Sequence, residues 1–147
     1  MIEPLEKRLH ILIENIEKLV KATFPNKDLK IGYTTIFAKD EADYETLRSL
    51  LNEYGWEEPA NNGLAYHIEK PIKIGNTIMM KVRVRKPDVH RPELGCCDLV
   101  YKDSDYKYYR EKALEIGLDI ILRKDYEMIE LSTRDIPAYA YLVKNLA

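Results

Sequence analysis

One stretch of this chain occurs twice, and that repetition limits the fold more than any other feature. The segment IGYTTIFAKD at residues 31–40 can be laid over LGCCDLVYKD at residues 94–103. Gly32 falls on Gly95, Lys39 on Lys102 and Asp40 on Asp103, while Ile31, Ile36 and Phe37 fall on Leu94, Leu99 and Val100. After a one-residue gap the likeness continues. Asp43, Tyr44, Arg48, Glu53 and Gly55 fall on Asp105, Tyr106, Arg110, Glu115 and Gly117, five identities where ordinary residue frequencies give about one.

The physical pattern repeats along with the letters. Tyr44, Leu47, Leu51 and Tyr54 recur at spacings of three and four, the face of a helix. Tyr106, Tyr109, Ala113 and Ile116 draw the same stripe in the second copy. Asp40 and Asp103 stand where an N-cap belongs, and Gly55 and Gly117 where a helix-ending glycine belongs. After Gly55 come WEEP, LAYHIEK and TIMMKVRVR, with turn signals at Asn61-Asn62-Gly63 and Ile74-Gly75-Asn76. After Gly117 come LDIILRK, YEMIELS and AYAYLVK, divided at Lys124-Asp125 and at residues 134–137. Each half therefore reads βαβββ, an α+β arrangement. The modules span 30–86 and 93–144 within a domain of 25–147, joined by the proline-bearing linker KPDVHRPE.

Residues 1–24 form an extra N-terminal element. Leu5, Leu9, Leu12, Ile16 and Leu19 make an apolar helical stripe behind Pro4, which suits a first turn. Such a helix should dock on the outer side of a sheet; a second copy of the chain is the other surface it could cover. Composition excludes several classes. The net charge of −2 gives no general pull toward nucleic acid or membrane, and no apolar run approaches the length of a bilayer span. The opening MIEPLEKRLH is too charged for a secretion signal, and the only cysteines, Cys96 and Cys97, are adjacent, which suits a reducing compartment rather than a disulfide framework. A cytoplasmic location is the expectation. The absence of Gln beside abundant Lys, Glu and Ile leans toward a thermophilic source.

Paired βαβββ units resemble the vicinal oxygen chelate superfamily, the fold of glyoxalase I, extradiol dioxygenases and bleomycin-resistance proteins. The resemblance covers roughly residues 30–143. A closer likeness is to the uncharacterised YecM-like proteins. They also carry an N-terminal helical extension, and their middle segment is similar to HIEKPIKIGNTIMMKVRVRKPDVHRPELGCCDL here. The resemblance implies a mixed β-sheet curled around a cleft, with outer helices. It also implies a divalent metal held by the first and last strands of each unit. This chain departs from that ligand pattern. The first-strand positions are Tyr33 and Cys96, the last-strand positions fall among Lys81, Arg83 and Arg85 and near Tyr139 and Tyr141, and none is His or Glu. No cofactor is therefore expected. A metal would need an atypical set such as His67, Asp98 and Glu130.

The basic row is the most informative polar feature. Alternation in TIMMKVRVR puts Ile78, Met80, Val82 and Val84 on one face and Lys81, Arg83 and Arg85 on the other. If the apolar face meets the helices, the cations enter the cleft, where they repel one another unless carboxylates or a bound anion offset them. Pairing with Asp98 and Glu130 would be the structural alternative. Asp98 falls on Thr35 in the repeat, so its charge is peculiar to the second half. A carboxylate among apolar strand residues is costly unless paired, and Asp98 is the general-base candidate. His67 and Glu69 share a strand face, where an ordinary exposed sheet surface is the simpler reading; His10 and His90 read as surface residues. No phosphate loop, nucleophile elbow or zinc-finger spacing occurs.

The leading expectation is a small-molecule-binding protein whose cleft takes an anionic ligand against Lys81, Arg83 and Arg85, with Tyr33, Cys96, Tyr139 and Tyr141 around it. One alternative is a metal-dependent isomerase, lyase or oxygenase. The other is a non-catalytic protein that dimerises through its N-terminal helix.

Overall fold

The computed structural model describes residues 3–24, 31–60, 63–75 and 77–144. The turn residues Asn61, Asn62 and Asn76, and the segment 25–30 before the first module, lie outside the described residues. Helix α1 (Glu3–Thr23) precedes two units of the same plan. The first is β1 (Ile31–Phe37), α2 (Glu41–Tyr54), β2 (Gly55–Ala60), β3 (Gly63–Ile74) and β4 (Thr77–Arg85). The second is β5 (Gly95–Tyr101), α3 (Asp103–Ile116), β6 (Ile120–Leu122), β7 (Glu127–Thr133) and β8 (Ile136–Lys144).

The eight strands make one mixed sheet in the order β2-β3-β4-β1-β5-β8-β7-β6. The first strands of the two halves, β1 and β5, pair antiparallel at its centre. Each also pairs parallel with the last strand of its own half. The register is the same in both halves. Thr35 lies opposite Arg83 and Phe37 opposite Arg85, just as their repeat partners Asp98 and Val100 lie opposite Tyr141 and Val143. Arg83 and Tyr141 are therefore equivalent positions filled with different chemistry.

One face of the sheet is covered by helices. The α1 stripe of Leu5, Leu9, Leu12, Ile16 and Leu19 is at most 1% exposed and packs on β8, β7, β5 and β3. That apolar face is spent within the chain. Arg8 fastens α1 to α2 through Asp43 at 2.5 Å. From α2 and α3, the equivalent pairs Tyr44 with Tyr106 and Leu47 with Tyr109 enter the same core, with Ala113 beside them, while Ile116, expected on this stripe, lies largely outside it. Beneath the helices, Val82, Val84, Cys97, Leu99, Ala140 and Leu142 alternate with residues that point to the opposite face.

Three local expectations are corrected. The alternation in β4 does not run its whole length. The β3–β4 ladder breaks after His67↔Lys81 and resumes at Ile72↔Met79, with Pro71, which has no N–H to give, in the gap. The shift turns Met79 into the core, whereas Ile78 and Met80 are 58% and 61% exposed. The helix caps also differ between halves. Asp40 caps α2 by accepting from the Asp43 amide at 2.7 Å, but α3 begins one residue earlier in the repeat, so Asp103 is its first helical residue and Lys102 stands at the cap without a side-chain bond. Finally, Gly117 ends α3 in the left-handed region (φ 78°, ψ 29°), whereas Gly55 is extended (φ −172°) and starts β2. Gly55 meets a different demand: a Cβ there would overlap the His67 carbonyl of the neighbouring strand.

Candidate functional site

The uncovered face of the sheet forms a cleft of about 410 Å³. Its floor comes from the central pair, with Tyr33, Thr35 and Phe37 on β1 and Cys96 and Asp98 on β5. Arg83 and Arg85 stand along β4 on one side. On the other are Tyr141 and Val143 of β8 and Met128 of β7. Arg91 enters from the linker, and Arg123 and Tyr126 enter from the turn between β6 and β7.

The arginines are held by rings. Arg83 lies over Tyr33 at 5.3 Å and Arg85 over Phe37 at 5.3 Å from the ring centroids. Arg91 is set between Phe37 at 5.6 Å and Tyr139 at 4.8 Å, and donates to the Tyr141 hydroxyl at 3.4 Å. A ring face beneath a guanidinium holds the cation in place while leaving N–H donors available. Among the described residues, no carboxylate forms an ion pair with Arg83, Arg85, Arg91 or Arg123. The Nε donors of Arg83 and Arg91 are shielded from solvent without an acceptor. A buried donor left unpaired costs on the order of 1–3 kcal/mol, and an oxyanion would remove that cost.

Asp98 is the one acidic group in the lining. Burial raises its proton affinity above the ordinary carboxylate value, and the nearby Arg83 charge only partly opposes this. Burial likewise pushes the Cys96 thiol up to about 11, so it is a protonated thiol at neutral pH rather than a nucleophile or thiolate ligand. Tyr141 is raised by burial, with the Arg91 hydrogen bond acting the other way.

The structure thus brings together Tyr33, Arg83, Arg85, Cys96, Asp98 and Tyr141. Lys81 stands outside the lining and donates to the Tyr33 hydroxyl at 3.2 Å. Tyr139 turns away to donate to Glu93, which, with burial, pushes its phenol up to about 12. Glu130 pairs across strands with Tyr141 but does not line the cleft. His67 contacts Glu58 and stacks on Trp56 at 5.2 Å instead of meeting Asp98. The set His67, Asp98 and Glu130 is therefore not assembled, and among the described residues no three His, Cys, Asp or Glu side chains are grouped to hold a metal. The donor chemistry agrees. The first- and last-strand positions facing the cleft offer two phenols, a protonated thiol, two arginines and a single carboxylate, Asp98, a set that does not fit a divalent cation.

Arg91 and Arg123 carry much of the cleft's charge, yet both sit outside the strands whose alternation could be read. The confinement of Arg91 between Pro87 and Pro92 was the one sequence signal for it. Thr35 and Phe37 follow from Tyr33 by simple alternation.

No protein-family model matches the chain, and no curated protein matches it by sequence. Solved structures do match in three dimensions. "Protein EC4020", from structural genomics, has a TM-score of 0.66 at 14% identity, over 91% of this chain and 82% of its own. The 2,2',3-trihydroxybiphenyl 1,2-dioxygenase of the dibenzofuran-degrading Sphingomonas wittichii strain RW1 has a TM-score of 0.55 at 11% identity, over 82% of this chain and 42% of its own. Two βαβββ units joined through their first strands into one mixed sheet, with this likeness in three dimensions, give the chain the architecture of the vicinal oxygen chelate fold.

Proposed function

We propose that the chain binds a small organic anion in this cleft, with the acidic group on Arg83 and Arg85 and the body of the molecule against Tyr33 and Tyr141. One observation carries the reading. Three guanidiniums, each over an aromatic ring, share a single cavity without an ion pair to a carboxylate among the described residues. A structural polar core would neutralise such a cluster internally; a binding site leaves the neutralising charge to its ligand. Lys81 acts through Tyr33, and Tyr139 acts through Arg91. Cys96 contributes a neutral patch of floor.

The test is calorimetric titration with aryl carboxylates and aryl phosphonates. Removing one charge-assisted donor costs about 1.5–3 kcal/mol, so Arg83→Ala and Arg85→Ala should each weaken binding roughly ten- to a hundredfold. Equal affinity in the wild type and both variants would sink the reading.

A second reading rests on Asp98. A carboxyl with raised proton affinity beside an anion site suits proton transfer at an atom next to the ligand's acidic group. Incubating bound acids in deuterated water and following exchange by NMR tests it. Exchange that persists in Asp98→Asn would remove Asp98 from the role of base.

A further inference from the structure

The cleft has a second anionic end. Arg83 stands on β4, whereas Arg123 follows β6, and four strands separate β4 from β6 in the sheet. In a flat sheet they would lie roughly 24 Å apart. Both nevertheless line the same cavity of about 410 Å³, because the sheet curls. Arg123 has no ion pair among the described residues; its backbone amide is anchored to the Tyr126 carbonyl at 2.8 Å, and Tyr126 lines the cavity beside it. Between the two cationic ends lie Val143 and Met128, which carry no charge, and Tyr141, whose hydroxyl accepts from Arg91 on the linker side. The single acidic group, Asp98, lies on the floor and cannot neutralise both ends.

We infer that the ligand carries two oxyanion groups, carboxylate or phosphate, at opposite ends of a flat apolar body, one received by Arg83 and Arg85 and the other by Arg123. This rests on the anion-binding reading above and narrows it to a class of compound. A monoacid satisfies only the β4 end. A short aliphatic diacid would reach both ends only by leaving Val143 and Met128 uncovered.

The experiment compares the full chain's affinity for rigid aryl diacids of increasing length with that for their monomethyl esters. The probes are terephthalate, naphthalene dicarboxylate and biphenyl dicarboxylate, with phosphonobenzoate included so that a phosphate-like end is separated from a carboxylate one. At least one diacid should bind about three- to fivefold more tightly than its half-ester, the effect of one partly exposed ion pair. Arg123→Ala should abolish that advantage, weakening the diacid more than the half-ester. Because Arg123 is exposed and belongs to a turn, its loss should not threaten folding. Equal affinity for diacid and half-ester, or an advantage that survives Arg123→Ala, would overturn the two-ended site while leaving Arg83-dependent monoacid binding intact. Failure of every probe to bind, or binding indifferent to Arg83→Ala, would overturn the underlying anion site as well.

Discussion

Gly55 and Gly117 occupy equivalent places in the repeat but answer to different forces, so replacing them should separate those forces. At Gly117 the backbone is left-handed, with nothing within 4 Å of an added Cβ. Alanine there pays about 1–2 kcal/mol for the left-handed conformation, and recovers about 0.4–1 kcal/mol through a less flexible unfolded chain. The net loss is about 1 kcal/mol, and Gly117→Asn should return most of it, since asparagine tolerates that region. At Gly55 the backbone is extended and any residue could adopt it. The obstacle is space. A Cβ would overlap the His67 carbonyl oxygen and lie 2.7 Å from its carbon and 3.1 Å from the Ile68 Cα. Relief requires β2 to part from β3. That releases about two ladder hydrogen bonds at about 1 kcal/mol each and part of the roughly 1.5–3 kcal/mol held by burial of Ile68. Gly55→Ala should cost about 2.5–4 kcal/mol on these figures, and Gly55→Asn should be no better. Gly75, at φ 58° with open space around it, should behave like Gly117. Urea unfolding followed by circular dichroism measures all five variants. Equal losses for Gly55→Ala and Gly117→Ala, or an asparagine rescue at Gly55 but not at Gly117, would refute the reasoning.

Other outcomes follow from the cleft and its support. Ionised Asp98 is penalised by burial, so Asp98→Asn should raise Tm at neutral pH. The wild type should match the variant below the ordinary carboxylate pKa of 3.8 and fall behind as pH rises through the raised folded value, which parallel thermal melts across pH will show. The same substitution removes a negative charge facing the ligand and should tighten anion binding several-fold by calorimetry. Leu9→Ala empties a fully buried position between α1 and the sheet and should cost about 2–5 kcal/mol in urea unfolding. Cys96, with its thiol raised to about 11, should resist iodoacetamide at pH 7 in the folded protein and react on unfolding, as mass spectrometry will report.

Much of the fold was legible because it rests on short-range rules. The helical stripes, the glycine after α3 and the proline-bearing linker each announce themselves locally, and the repeat doubles every signal. Position in the repeat did not reveal why each glycine is needed, because the crowding at Gly55 comes from a neighbouring strand. The β4 alternation misled for Ile78 and Met80 because the register break belongs to the pairing with β3 rather than to the sequence of β4. In the site, strand position pointed to Tyr33, Arg83, Arg85, Cys96, Asp98 and Tyr141, and equally to Lys81 and Tyr139, which do not line the cleft. It did not point to Arg91 and Arg123, because what gives them importance is the curl of the sheet.

The contact between α1 and β8 joins the helix that precedes every strand to the strand that follows every other. Such a contact closes a loop that contains the other seven strands, and closure of that kind comes late in folding. Until β8 arrives, the leucine stripe of α1 has no complete surface to cover it, leaving a partly folded chain with a sticky helix at one end. Refolding should therefore be slow for the protein's size, and the window for misassembly should close only when the last strand docks.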